Sequence, residues 1–298
     1  HRLDGVKFDI GIFTNLSRDH LDYHKTYKNY LNSKLILFKK LMKNKGLVIF
    51  DKSIKEAKLI NNLVNRHKLN KFIIGEKKCL KVIDHKYFNN NQQIKITFKN
   101  KIYSFKTKLI GKVQIKNLLM AVAAANKVLP IEKIIPVLEL IKPVKGRFEE
   151  IGKIRNLSKV VLDYSHTPDA LETCIKNIKD QYKYSKISLV FGCGGNRDKS
   201  KRQFMGKIAN DLCDYIYITD DNPRNEDPKK IRSQIKRKIN PNKFTEISSR
   251  DLAIKQAIME LKSGDILIVS GKGHENYQEF KVKKNFSDSF YIKKYINK

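Results

Sequence analysis

From about Arg147 onward the chain alternates strictly between short β-branched runs and segments of helical periodicity, and no other feature restricts its fold so tightly. The strand-like runs are Val160-Val161-Leu162-Asp163-Tyr164, Ile187-Ser188-Leu189-Val190-Phe191, Tyr215 to Thr219, and Asp265-Ile266-Leu267-Ile268-Val269-Ser270. Helices are expected from Thr167, Ser200 and Asp227 and near Arg250. Strands buried on both faces read as continuous apolar runs, and parallel neighbours need a crossover long enough to hold a helix. The pattern predicts a doubly wound, mostly parallel α/β domain, with ligands at the carboxyl ends of the strands. Each of these runs ends in polar, reactive residues.

The preceding residues read differently. Phe8 to Phe13 is strand-like, and the polar cluster behind it opens a helix expected to run through about Leu41. Gly46 to Phe50 and Lys71 to Gly75 are short strands, and Ile94 to Leu109 alternates about Lys99-Asn100-Lys101 as a β-hairpin does. Helices follow over Ile115 to Leu129 and Ile131 to Ile141, until Pro143 and Gly146 interrupt the pattern. A chain of 298 residues, 41% apolar, can bury two cores. The boundary is placed there, giving domains 1–145 and 146–298.

No run of about 18 uninterrupted apolar residues occurs, so no membrane-spanning helix is expected. The start, His1-Arg2-Leu3-Asp4, has neither an initiator Met nor an apolar leader, and reads as the cut edge of a soluble, cytoplasmic protein. Cys79, Cys174, Cys193 and Cys213 form no C-x-x-C pair, which fits a reducing compartment and argues against a cysteine zinc site. The net charge of +32 raises nucleic acid as a partner. The lysines, however, are spread through every segment, and no RNP, KH or zinc-finger pattern accompanies them. A basic binding protein is thus the minor alternative, and neither nucleic acid nor a membrane is the expected partner.

Thr14-Asn15-Leu16-Ser17-Arg18-Asp19-His20-Leu21-Asp22-Tyr23-His24 follows the first strand directly, where phosphate or metal is commonly held. Ser17 or Asp19 as a helix cap is the plain alternative. His20 and His24 are four residues apart, but the stretch is not H-E-x-x-H, so a hard metal at His20 stays open beside the capping reading. Gly192-Cys193-Gly194-Gly195-Asn196-Arg197 also joins a strand to a helix. A dinucleotide fingerprint would place its third glycine where Arg197 stands, so an anion site fits better than a nicotinamide site. Asp221-Asn222-Pro223-Arg224 and Gly271-Lys272-Gly273-His274-Glu275 end two further strands, although an N-P turn and a tight glycine turn explain them blandly. Lying side by side, these loops would bring Arg197, Arg224 and Glu275 to one cleft. Two guanidinium forks and a carboxylate suit a zwitterionic, amino-acid-like ligand.

At these residues the sequence resembles the Mur ligase family, in its tripeptide-forming branch. The stretches that carry the resemblance are T-N-L-S-R-D-H-L-D-Y-H, Y-L-N-S-K-L-I-L-F, G-R-F-E, L-D-Y-S-H-T-P-D-A-L, F-G-C-G-G-N-R-D-K-S-K-R, D-N-P-R and G-K-G-H-E-N-Y-Q. They run in family order over essentially the whole chain. The resemblance implies a P-loop-type central ATPase domain, here starting part-way through, followed by a C-terminal Rossmann-like domain that receives the amino acid. It also implies an ATP- and Mg2+-dependent ligase that adds meso-diaminopimelate to UDP-MurNAc-L-Ala-D-Glu through an acyl phosphate.

By the same resemblance His20 matches a magnesium ligand, and Lys34 a lysine that the family carbamylates to N6-carboxylysine in support of a second metal ion. Asn117, Arg147, Asp163 and His166 match positions around adenine, phosphate and ribose. Arg2 matches a contact to the UDP-peptide, while Arg197, Asp221, Asn222, Arg224, Gly271 and Glu275 match the diaminopimelate pocket. His20, Lys34 and Arg147 would serve the chemistry. Two positions depart from the pattern: Val113-Gln114 replaces F-N before the adenine-side helix, and Ser165 replaces the alanine of D-Y-A-H. The G-x-x-G-K-T phosphate loop does not occur in the sequence, so a separate N-terminal segment is expected to supply it. Lysine-adding and folylpolyglutamate-type ligases are the alternatives within the enzyme class.

Overall fold

The computed structural model describes residues 3–88, 91–152, 154 and 157–296. The chain forms two compact units, His1–Lys142 and Pro143–Lys298. In the first unit β1 (Phe8–Phe13), β2 (Met42–Asp51) and β3 (Asn70–Ile74) form a parallel sheet in the order β1-β2-β3. Residues Leu47 to Phe50 of β2 are all buried, because each face of the strand meets a different layer. Val48 and Phe50 pack with Leu35 and Phe38 and with Ile60 and Val64 of α3 (Ala57–Arg66). Leu47 and Ile49 pack with Ile115, Leu118 and Leu119 of α4 (Gly111–Ala125).

The helix expected up to Leu41 is cut into pieces. α1 (Leu21–His24) stops at Lys25, whose φ of 64° cannot continue a right-handed helix. α2 (Tyr27–Ile36) restarts with Thr26 as N-cap, its side chain accepting from the Asn29 N–H at 3.1 Å, and runs into a π-helical turn over Leu37–Leu41. The expected hairpin is part of a larger antiparallel meander of β4 (Lys81–Phe88), β5 (Asn91–Phe98) and β6 (Lys101–Thr107). Lys99 and Asn100, with φ of 48° and 65°, make the tight turn between β5 and β6. Positive φ at both central residues is the I′ geometry that matches strand twist. The last predicted helix is divided too: α5 (Ile131–Ile134) gives way to a 3-10 segment over Ile135–Leu140. Pro136 lacks the N–H an α-helix needs, and its ring crowds the preceding turn.

The second unit is a six-stranded sheet in the order β11-β10-β9-β12-β8-β7. β7 (Glu149–Glu150) is antiparallel to β8 (Lys159–Asp163), whereas β8, β9 (Ile187–Phe191), β10 (Tyr215–Ile218), β11 (Phe244–Glu246) and β12 (Ile266–Ser270) are parallel. The connecting helices are α6 (Pro168–Gln181), α7 (Lys201–Leu212), α8 (Pro228–Lys236) and α9 (Arg250–Met259). Thr167 and Asp227 cap α6 and α8, accepting from the backbone N–H groups of Ala170 and Lys229. Every residue of β12 is buried, as befits the centre of a sheet covered on both faces. Ala253, Ile254 and Ala257 of α9 pack on Val160, Leu162, Leu267 and Val269, together with Ile292 of α10 (Asp288–Ile296).

The two edge strands β7 and β11, helix α10, and a small hairpin of β13 (Tyr277–Glu279) and β14 (Lys283–Asn285) were not foreseen in this unit. Since the five strands are parallel, the loops behind β8, β9, β10 and β12 emerge at one end of the sheet, where the reactive residues stand.

Candidate active site

In the second unit the glycine-rich loop after β9 lies against the loop after β10. The Gly195 N–H donates to the Asn222 carbonyl at 2.9 Å, and a Cβ on Gly195 would sit 1.9 Å from the Pro223 carbonyl oxygen. Only glycine permits that approach. Arg202 and Glu226 hold the loop from below. Arg202, 1% exposed, donates to the Gly194 carbonyl at 3.1 Å and to both oxygens of Glu226 at 3.0 and 3.1 Å, while Glu226 also accepts from the Asn196 N–H at 2.6 Å. These bonds from Arg202 hold the Glu226 carboxyl below the ordinary glutamate range.

Next to this loop the D-N-P-R and G-K-G-H-E stretches meet. Lys272 is fully buried; its ammonium donates to Asn222 Oδ1 at 2.9 Å and to Glu275 Oε2 at 3.1 Å. Asn222 Nδ2 donates to the same Glu275 oxygen at 3.0 Å. Glu275 Oε1 faces the Tyr164 hydroxyl at 3.5 Å. Asn222, 3% exposed, thereby holds the carboxylate in place with an amide that is itself fixed by Lys272 and by the Glu279 N–H. A buried lysine without these partners would be costly; with them it locks the orientation of both acceptors.

Arg224 takes a left-handed backbone (φ 54°), and its guanidinium donates to the Gly195 carbonyl at 2.9 Å and pairs with Glu279 at 3.0 Å. Asp221 is buried beside Gly271, which has a φ of 115°; a Cβ there would lie 2.7 Å from Asp221 Oδ2. Arg197 is exposed on the glycine-rich loop, its stem near Gly194. Arg224, Asn222 and Glu275 thus come together, with Arg197 on the adjoining loop.

A second group surrounds Tyr164. The Arg147 guanidinium lies 4.3 Å from the centre of its ring, and the rings of His166 and His274 are 4.7 and 5.5 Å from it. Burial, reinforced by the charge of Glu275, raises the Tyr164 hydroxyl above its ordinary value, so it remains a proton donor at neutral pH. Asp163, 3% exposed, accepts from the Phe148 N–H at 2.9 Å and from the Ser165 N–H and hydroxyl, the former at 2.8 Å. Its carboxylate fastens the Arg147 segment to β8.

The first unit has its own cluster, built around Tyr30. The rings of His20 and His24 stand 5.8 and 4.8 Å from the Tyr30 ring, and Lys34 Nζ is 5.1 Å from its centre. His20 has a φ of 52°, and Asp19 is 3.5 Å from its Nε2. Among the described residues no group of three His, Cys, Asp or Glu side chains is placed to hold a metal. His20 and Lys34 therefore fit magnesium only as part of a shell completed by other oxygen donors, the lysine only as a carbamate. Asn117 lies on α4. Arg2 lies outside the described residues. Burial pushes the Cys193 thiol up to about 11 and the Cys213 thiol up to about 12, which keeps both in the thiol form at neutral pH.

Lys272, Tyr164, Glu279, Arg202 and Glu226 were not singled out from the sequence. Lys272 stood inside a recognised motif, where only its burial distinguishes it from the many surface lysines. Glu279 lies on a hairpin that the sequence reading did not reach.

The model of the Mur ligase middle domain matches residues 1–125, and that of the Mur ligase glutamate ligase domain matches residues 146–273. The chain is 43% identical over 298 residues to the UDP-N-acetylmuramoyl-L-alanyl-D-glutamate--2,6-diaminopimelate ligase of Rickettsia rickettsii, covering 99% of this chain and 61% of the relative. A namesake from Clostridium acetobutylicum is 39% identical over 279 residues, 93% of this chain and 57% of the relative. A solved structure of a ligase of that name is 29% identical with a TM-score of 0.64, over 99% of this chain and 61% of that one. MurF ligase from Thermotoga maritima, solved in complex with ADP, shares the fold at 16% identity and a TM-score of 0.70, over 97% of this chain and 62% of that one. The chain thus spans about three fifths of the length of these relatives, and by its two matched domains and its identity to these proteins it belongs to the Mur ligase family.

Proposed function

We propose that this chain carries the amino-acid-receiving part of a cytoplasmic, ATP-dependent ligase that joins meso-diaminopimelate to UDP-MurNAc-L-Ala-D-Glu in peptidoglycan synthesis. The observation that carries the proposal is the junction of the strand-end loops at Asn222, whose carbonyl accepts from the Arg224 guanidinium while its amide and the buried Lys272 hold the Glu275 carboxylate. Diaminopimelate has a carboxylate and an ammonium at the far end of its side chain, and these two charges match that pair. The names of the relatives agree with it.

On this reading residues 1–145 belong to the central ATPase domain and residues 146–298 form the acceptor domain. Asn117, Arg147, Asp163 and His166 are assigned to the nucleotide side. Arg147 is the cation offered to the charge that spreads over the transferring phosphoryl oxygens, with Tyr164 beneath it to limit its motion. Asp163 acts by holding that segment. His20 and a carbamylated Lys34 would hold magnesium, which neutralises phosphate charge when bound. The substrate carboxylate becomes an acyl phosphate, and the amine of the amino acid then displaces phosphate to close the amide. Glu275, Asn222 and Arg224 orient that amino acid, with Asp221, Gly271 and Arg197 around it. Arg2 is assigned to the UDP-peptide.

The test is a chimera in which this chain is joined behind the part of the Rickettsia rickettsii relative that precedes their match. Supplied with ATP and the UDP-linked dipeptide, it should form the diaminopimelate tripeptide, read by mass spectrometry. Arg224→Ala should lower kcat/KM for diaminopimelate about a hundredfold, since a lost charge-assisted bidentate contact is worth roughly 3 kcal/mol. Use of lysine or glutamate in preference to diaminopimelate by the wild-type chimera would overturn the assignment. Calorimetric binding of meso-diaminopimelate to the unmodified chain checks the pocket without requiring an active chimera.

A further inference from the structure

The guanidinium of Arg224 already has a carboxylate partner within the protein. Its Nε lies 3.0 Å from Glu279 Oε2, and both side chains are partly exposed, at 22% and 27%. Glu279 sits on β13, which is tied to the site by bonds that do not involve its carboxylate. The Glu279 N–H donates to Asn222 Oδ1 at 2.9 Å, the Glu279 carbonyl accepts from the Arg224 N–H at 2.9 Å, and Gln278 Nε2 donates to the Asp220 carbonyl at 3.1 Å. Arg224 is also held independently by the Gly195 carbonyl.

We propose that Glu279 is a specificity-determining residue that narrows the preference for an amino acid bearing a distal carboxylate over one without it. The inference rests on the reading of Arg224 as the group that receives that carboxylate. A site built around a charged group rejects a ligand that leaves the charge unpaired. With Glu279 beside it, Arg224 stays paired when a lysine-like ligand binds, so that penalty disappears. A ligand carboxylate, in contrast, meets the like charge of Glu279 and must share or displace it. Both effects reduce discrimination.

Glu279→Gln keeps the side-chain length and the backbone bonds of β13 and removes the charge. Calorimetric titration of the full chain with meso-diaminopimelate and with L-lysine, at low ionic strength, reads the outcome. Diaminopimelate should bind about two- to fivefold tighter to the variant, the range expected for competition at a partly exposed ion pair. Lysine should bind unchanged or more weakly, so the ratio widens, and added salt should shrink the difference between variant and wild type.

An unchanged or narrowed ratio overturns the inference. Arg224→Ala separates this failure from a failure of the pocket itself. If Arg224→Ala leaves diaminopimelate affinity unaltered, the assignment of Arg224 falls and the inference with it. If Arg224→Ala removes the preference while Glu279→Gln does not move it, only the role of Glu279 is wrong. In the double variant the Glu279→Gln effect should vanish, and its persistence would mean that Glu279 acts without Arg224, which also overturns the inference. Circular dichroism of each variant establishes that the fold is retained.

Discussion

At the scale of single residues, the chemistry rests on a few side chains whose surroundings decide their roles. Lys34 lies over the Tyr30 ring, which the imidazoles of His20 and His24 also face. In the chimera described above, Lys34→Ala should abolish turnover and leave diaminopimelate binding intact. Short carboxylic acids should restore part of the rate by replacing the carbamate. Near-normal kcat in Lys34→Ala would return Lys34 to the status of a solvated lysine. Glu226 yields a pH prediction. Its folded pKa lies below the ordinary value of 4.5, so the stability it contributes is complete above that value and is lost as the pH falls through the lowered folded pKa. Glu226→Gln leaves the nearly buried Arg202 without its counter-charge and should cost about 3 kcal/mol at neutral pH. Urea denaturation should show this difference at neutral pH and show it narrowing as the pH falls through the lowered folded pKa of Glu226; a difference independent of pH would sink the ion-pair account.

At the scale of elements, the loops that carry the site are positioned by how closely α7, α8 and the sheet pack beneath them. Gly206 in α7 faces the Ile235 carbonyl of α8, and a Cβ there would stand 2.0 Å from that oxygen. Gly206→Ala must push the helices apart, at a cost of about 2 kcal/mol or more. Because α7 also carries Arg202, the shift should loosen the glycine-rich loop and weaken amino-acid binding in parallel. A variant as stable as wild type would show that the contact yields easily. The secondary structure of this unit was legible because its strands are buried on both faces and read as plain apolar runs. The π turn after α2, the 3-10 segment that contains Pro136 and the hairpin β13–β14 were not, since each is short and depends on what it packs against.

At the scale of the whole chain, the sequence contains no G-x-x-G-K-T loop, the motif whose backbone N–H groups cradle nucleotide phosphates. The 298 residues alone should therefore form no amide from ATP, the UDP-linked dipeptide and diaminopimelate. Product in that assay would refute the dependence on an added phosphate-binding segment. The charge of +32 provides a further check. If the lysines reflect composition rather than a built nucleic-acid surface, affinity for DNA should be weak and sequence-independent at physiological salt. Tight binding with a specific preference would revive the alternative of a basic binding protein.

The sequence by itself determined the alternation of strands and helices, the polar character of each strand end and the family to which those ends belong. These are local properties, written in the period of apolar residues and in motifs a few residues long. Only the tertiary structure decided which charge meets which. Glu279 reaches Arg224 across 55 positions of sequence, Lys272 turns inward to Asn222 at a separation of 50, and Asp163 spends its carboxylate on the Arg147 segment. Such pairings are set by the neighbour order of parallel strands and the close approach of glycine loops, and no local pattern encodes them.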